Sequence, residues 1–420
     1  MKKFTLSLAS LLLAFSGFSQ AVQDSIKMGA SYANEMYLKL EDGSRSTHAA
    51  NSWHVGFATS AYSVAVVSNP GLPSPGMGQA GISISVYPNG DASTFASVDT
   101  TGFSTWPKLY NDSLDYEVGA FNQSTNGTQF DYGWGQYNSI NHQITGDSLY
   151  IVKIGSDCYK FKIVSKAAGK YTFNYALISD NTEGTQVEIN GSTDYATKNF
   201  VFFNFADGQV KDLELAGWDL WATKHYDWYG TTPNQVVTGI LVNPKWDVAT
   251  VNVGSGNQAS HNDYSSANFV NKKNNIGSTY KSLNMQTFAW EVTDSKVYYL
   301  QNAAGDVWKL YPTSFSGSST GETKFMKEHI AYAGVENVAT QFVDVYPNPV
   351  ENTATVVFEG KGATEIIVRN QMGQVVVAQS LASTSGITQH QLDLSNLTNG
   401  MYFVQINQNG SSIVKNIVKK

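Results

Sequence analysis

Apolar and polar residues change places in short runs along most of this chain, and Gly, Asn and Asp interrupt the runs. Period-two alternation puts successive side chains on opposite faces of a strand, so each run predicts a half-buried strand. No stretch holds the 3.6-residue periodicity of an amphipathic helix over a useful length. The fold class expected is all-β, built of antiparallel sheets joined by turns at the Gly, Asn and Asp positions. In the last part of the chain the runs are Thr355 to Glu359, Glu365 to Arg369, Val375 to Gln379, His390 to Leu394, Met401 to Ile406 and Ile413 to Val418. They predict a small Ig-like β-sandwich over residues 342–420. Met372-Gly373, Asn399-Gly400 and Asn409-Gly410 supply residues suited to hairpin turns with positive φ.

The body ahead of this tail repeats itself. Met36-Tyr37-Leu38-Lys39-Leu40-Glu41-Asp42-Gly43 precedes Trp53, and Phe202-Phe203-Asn204-Phe205-Ala206-Asp207-Gly208 precedes Trp218, the two Trp lying 165 residues apart. Further on, Leu149-Tyr150-Ile151-Val152 with Tyr159-Lys160-Phe161 corresponds to Val297-Tyr298-Tyr299-Leu300 with Trp308-Lys309-Leu310. Each copy closes alike, at Gly169 to Phe173 and at Gly321 to Phe325. Two tandem antiparallel β-sheet units are expected, at 22–180 and 181–332, with a linker at 333–341.

At the N-terminus Lys2 and Lys3 precede an apolar run from Phe4 to Phe15 and then small residues, the pattern of a secretory signal peptide over 1–21. No other stretch approaches the ~18 apolar residues of a membrane span. Cys158 is the single cysteine, which leaves no intramolecular disulfide to form. A length of 420 residues suggests two or three domains. The net charge of −7, without runs of Lys or Arg, argues against nucleic acid as a partner.

Candidate chemistry is sparse. His48, His54, His142, His225, His261 and His329 are scattered, without zinc-site spacing. His54 follows Trp53 in a strand and is expected on the opposite face, towards solvent. Gly317-Ser318-Ser319-Thr320-Gly321 has the letters of a nucleophile elbow but no helix after it, so it reads as a polar hairpin loop. Asp212 and Glu214 alternate on one strand face, whereas glycoside hydrolysis needs two acids facing each other across a cleft. Tyr132, Trp134 and Tyr137, or Trp221, Tyr226, Trp228 and Tyr229, suit a stacking platform for haem or sugar, and equally an inter-sheet core.

Two resemblances extend this reading. Val345-Tyr346-Pro347-Asn348-Pro349, Val368-Arg369-Asn370-Gln371-Met372-Gly373-Gln374-Val375, Leu397-Thr398-Asn399-Gly400-Met401-Tyr402-Phe403-Val404 and the terminal Lys419-Lys420 resemble the type A C-terminal sorting domain of the type IX (Por) secretion system of Bacteroidetes. The resemblance implies an address read by the type IX machinery and a secreted or outer-membrane-surface destination. In the body, Trp53 to Phe57, the Gly-rich stretch Pro70 to Gly81, Gly133-Trp134 and the closing strands Tyr150 to Phe161 resemble the HmuY-like haem-binding family. Trp218-Asp219-Leu220 and Lys296 to Leu300 repeat the opening and the close.

That second resemblance implies binding and no catalysis. The family's axial-ligand place falls at Ser139, with His142 three residues on, and near Asn284 and Met285 in the second copy. The candidate haem contacts are His142 with Trp134 near the closing hairpin of the first copy, Met285 in the second copy and, as a rival site on an aromatic strand, His225 with Tyr226; His142 and His225 are the candidate iron ligands of the two sites. The expectation is a non-enzymatic surface protein capturing haem or another planar apolar ligand. The alternatives are a cofactor-free surface-interaction or carbohydrate-binding module and, because cargo with such tails is often enzymatic, a secreted hydrolase.

Overall fold

The computed structural model describes residues 21–331 and 343–420, apart from residues 75, 77, 126, 372, 409 and 410. The predicted linker, and the predicted signal peptide save its last residue, lie outside them. Contacts divide the chain between Ile330 and Ala331 into a body and a tail. Both are all-β and antiparallel, as the alternation requires.

Four sheets carry the body. A first outer sheet runs Thr185–Asn190, Lys170–Leu177, Asp157–Ala167, Gln143–Gly146, Gly135–Asn138, and Tyr150–Ile154 with Ile82–Val86 extends it. A first inner sheet runs Gln209–Lys211, Phe200–Asn204, Val55–Ala58, Val66–Ser68. A second inner sheet runs Thr232–Val242, Leu220–Tyr229, Asn34–Leu38, Arg45–Ala49. A second outer sheet runs Val22–Lys27, Glu322–Ala331, Val307–Phe315, Lys296–Asn302, Trp246–Asn252.

Alternation sets the layering. Val201 and Phe203 face the first outer sheet in one core, while Phe200 and Phe202 join Tyr37, Trp53, Trp218, Trp221 and Leu241 in a core between the two inner sheets. Leu220, Ala222, Ile240 and Val242 turn the other way, to Trp246, Tyr298, Leu300 and Phe325 of the second outer sheet.

The repeat appears as a two-fold relation between the inner sheets. Leu38 pairs with Leu220, and Val55 pairs with Phe203. A shift of 165 residues carries Leu38 to Phe203 and brings Leu220 back to Val55, so one pairing occurs twice. The hydrogen bonds follow: Asp219 N donates to Leu38 O at 2.8 Å, and His54 N donates to Phe203 O at 2.9 Å. Each inner sheet thus holds one hairpin from segment 22–180 and one from 181–332. The two segments are therefore interleaved through the inner sheets.

The same relation corrects the reading of His54. Its partner by symmetry, Asp219, accepts from Leu40 N at 2.6 Å, and His54 Nδ1 accepts from Phe205 N at 3.0 Å. His54 is buried, and burial brings its pKa down to about 4. Solvent is excluded because both strand faces are covered in a four-layer body, so alternation there exchanges one core for another.

In the tail, the first two predicted runs fuse into Thr353–Asn370 and the next two into Val375–Asp393, which pair along nearly their whole length through Gly360 opposite Gly386. Gly400–Gln408 pairs with Ser411–Lys419. Gly373 takes φ 80°, as its turn requires, while Gly400 opens a strand with no positive φ. Val356, Phe358, Ile366, Val368, Val404, Ile406 and Ile417 form the core.

Candidate functional site

The five residues proposed for haem fall in three places. Trp134 enters the core of the first outer sheet, fully buried, where its indole N–H donates to Val64 O at 3.0 Å. His142 stands nearby on the exposed turn between Gly135–Asn138 and Gln143–Gly146, with φ 56°, its Nδ1 2.6 Å from the Tyr137 hydroxyl. Met285 is 70% exposed on the turn of the separate hairpin Lys281–Leu283 and Trp290–Val292. His225 and Tyr226 belong to the second inner sheet. The two candidate iron ligands, offered as rival sites, lie in different sheets.

His225 and Tyr226 do share a crevice with Trp221, between the inner sheets. Trp53, Phe200, Tyr116 and Leu241 form its apolar side, and Ser68, Asn111, Asp112, Lys224 and Lys273 its polar side. Its volume is 40 Å³. Pockets for cofactor-sized ligands begin at about 300 Å³, so these residues do not fit a haem. Tyr110 stands edge-on to Tyr226 with ring centres 5.2 Å apart. His225 is 4% exposed, burial lowers its pKa, and its Nε2 stands 3.6 Å from Asp227 Oδ2. Burial also lowers Lys273, to about 8, against the opposing pull of Asp112, Asp115 and Asp227.

Behind the crevice, Glu35 is fully buried and accepts three hydrogen bonds: from Trp53 Nε1 at 3.0 Å, from the Thr223 hydroxyl at 2.6 Å, and from the imidazole of His48 at 2.9 Å. Glu35, His48 and Thr223 all belong to the second inner sheet, so this set ties together its two hairpins, one from each copy of the repeat.

An open groove of 440 Å³ lies at the end of the first outer sheet. Tyr159, Tyr175 and Phe205 line it, with Ser179, Asp180 and Thr185 as polar partners. The three rings are contiguous: Phe205 stacks on Tyr159 at 5.3 Å and lies 5.7 Å from Tyr175. No hydrogen bond among the described residues uses the hydroxyl of Tyr159 or Tyr175. Burial raises both phenol pKa values, and Asp157 adds to the first and Asp207 to the second. Asp180 takes Thr182 N on Oδ1 at 3.0 Å, and its backbone carbonyl accepts from the buried Lys160 ammonium.

Sequence reasoning assigned Tyr159 and Tyr175 to closing strands only and did not single out Asp180. Their signal is hidden because Phe205, the ring between them, arrives from the other copy of the repeat.

Asp212 and Glu214 do not act as a pair. Asp212 is exposed and pairs with Lys198 at 2.9 Å, while Glu214 is buried on the amides of Asn199 and Phe200. Gly317–Ser319 forms a short 3-10 turn between neighbouring strands of the second outer sheet.

The profile of the family described as secretion system C-terminal sorting domain matches residues 344–420. No curated protein matches the chain. The tail is therefore a type IX sorting domain, which engages the type IX machinery, and the chain is a secreted or cell-surface protein. Among the described residues no helix is long and apolar enough to cross a membrane.

Proposed function

We propose that the body is a non-enzymatic binding module delivered to the cell surface, and that it takes a carbohydrate in the groove of Tyr159, Tyr175 and Phe205. The observation that supports this is the contiguous aromatic floor carrying two unpartnered phenol hydroxyls beside the Asp180 carboxylate. Sugar rings present an apolar C–H face to an aromatic edge or face and a rim of hydroxyls to acceptors and donors, which is the chemistry of this lining. An open groove of 440 Å³ also leaves room for a chain to continue into solvent.

Titration of the purified full chain with neutral, amino and acidic oligosaccharides tests the reading. Saturable binding should fall at least about tenfold in Tyr175→Ala, and several-fold in Tyr175→Phe and Asp180→Asn, each of which removes one hydrogen-bonding group. Absence of binding to every oligosaccharide, or binding unchanged in all three variants, refutes it. A second reading, haem capture, draws on the resemblance of the body and on the exposed imidazole of His142 beside the Tyr137 hydroxyl, outside the small crevice. A Soret shift at micromolar haem that His142→Ala abolishes would favour that reading over the groove.

A further inference from the structure

The crevice between the inner sheets is too small for a cofactor, and its donors are underused. Trp221 Nε1 and both ring nitrogens of His225 are buried without a hydrogen-bond partner among the described residues. An indole N–H only donates, and a neutral imidazole carries one N–H. Lys273 Nζ makes one hydrogen bond, to Asp115 O at 2.7 Å, and Lys224 Nζ makes one long contact, 3.4 Å to Gly71 O. Each ammonium has three N–H groups, so both have donors to spare. Buried donors left without acceptors cost stability, which an incoming acceptor would return.

Carboxylates also act on the two ammonium groups: Asp112, Asp115 and Asp227 on Lys273, and Glu35 on Lys224. Asp112 lines the crevice, and its Oδ1 is held by the amides of Leu114 at 2.7 Å and Asp115 at 2.8 Å. Asp227 Oδ2 stands 3.6 Å from His225 Nε2 and 3.3 Å from Asn274 Nδ2. Trp53, Phe200, Tyr116 and Leu241 supply the apolar part of the lining, and the Tyr116 ring lies 5.2 Å from Lys273 Nζ.

We propose that this crevice is a binding site for a one- or two-carbon carboxylate, its oxygens taken by Trp221, His225 and Lys273 and the methyl group of acetate laid on the apolar lining. Size sets the class: 40 Å³ is about three to four times the ~10–15 Å³ that one water needs, which leaves space for three or four heavy atoms, as in formate or acetate. A ligand of so few atoms binds with a dissociation constant no tighter than tens of micromolar, by the roughly 1.5 kcal/mol ceiling for each heavy atom. The site is separate from the groove, and neither depends on the other.

Saturation-transfer NMR on the full chain, with acetate as the probe and methylammonium and chloride as controls, tests the proposal. The expected result is saturable transfer to the carboxylate methyl groups at millimolar ligand, with affinity falling at least about tenfold in Lys273→Met and several-fold in Trp221→Phe. Should Lys273→Met not fold, Trp221→Phe decides by itself, because the ring and its packing are largely kept. No saturable transfer, equal response to methylammonium, displacement of acetate by equimolar chloride, or undiminished affinity in a folded variant each overturns the proposal.

Discussion

Replacing Glu214 by Gln should abolish a pH-dependent weakness of the body. Glu214 is 3% exposed, and its carboxyl accepts from Asn199 N at 2.5 Å and Phe200 N at 3.3 Å. Burial nevertheless pushes its pKa from 4.5 up to about 8, against the effect of those bonds and of Lys198. The unfolded chain releases this proton near pH 4.5, and the folded chain keeps it until about pH 8. Between those values the native state binds more protons than the unfolded one, so stability falls as pH rises. The slope is about 1.4 kcal/mol for each pH unit, which accumulates to about 3 kcal/mol at pH 7 and about 5 kcal/mol above pH 8. Glutamine keeps the shape of the protonated acid and does not ionise. Glu214→Gln should therefore match the parent near pH 4.5 and exceed it by about 3 kcal/mol at pH 7. Urea unfolding at pH 5, 7 and 8.5, followed by Trp emission, measures this for the body alone, because the tail contains no Trp. A difference between the two proteins that does not change with pH would show that Glu214 is ionised in the folded state.

Trp53→Ala and Trp218→Ala should each cost about 3–5 kcal/mol in the same assay, since both rings are buried at symmetric places in one core; a near-neutral result at either position contradicts the two-fold relation. Residues 22–180 and 181–332 expressed separately should lack fixed tertiary structure and acquire it on mixing, because each inner sheet needs strands from both; near-ultraviolet circular dichroism reads this, and a natively folded lone half refutes it. Removing residues 343–420 should stop delivery to the cell surface while Trp emission stays that of the full chain; surface fractionation in which the shortened chain still arrives would refute the role of the tail.

Much of the architecture can be read in the chain. Period-two alternation marks Phe200 to Phe203 as a strand, and the 165-residue echo marks Trp53 and Trp218 as equivalent. What a repeat does not encode is which copy each strand pairs with, because Leu38 has the same local sequence whether its neighbour is Leu220 or a strand of its own copy. That ambiguity hides the site. Phe205 meets Tyr159 and Tyr175 only after the copies interleave, and Trp53 joins Trp221 and Lys273 for the same reason. His54 and Glu214 mislead because charge and polarity predict exposure, whereas a body with three successive cores buries polar strand residues on backbone amides.

The strand Val22–Lys27 lies against Glu322–Ala331, with Val22 opposite Lys327 and Lys27 opposite Glu322, and the ion pairs Lys27–Glu322 at 3.1 Å and Asp24–Lys327 at 2.9 Å span the seam. Synthesis reaches the second of these strands some 300 residues after the first. At about 5–20 residues per second the opening strand waits roughly 15–60 s for its neighbour. Throughout that interval the opening strand has no neighbour, because the other four strands of its sheet begin only at Trp246 and the one it pairs with comes last. The seam thus serves as a clock: the body closes only when the whole of it has been made, immediately before the export address follows.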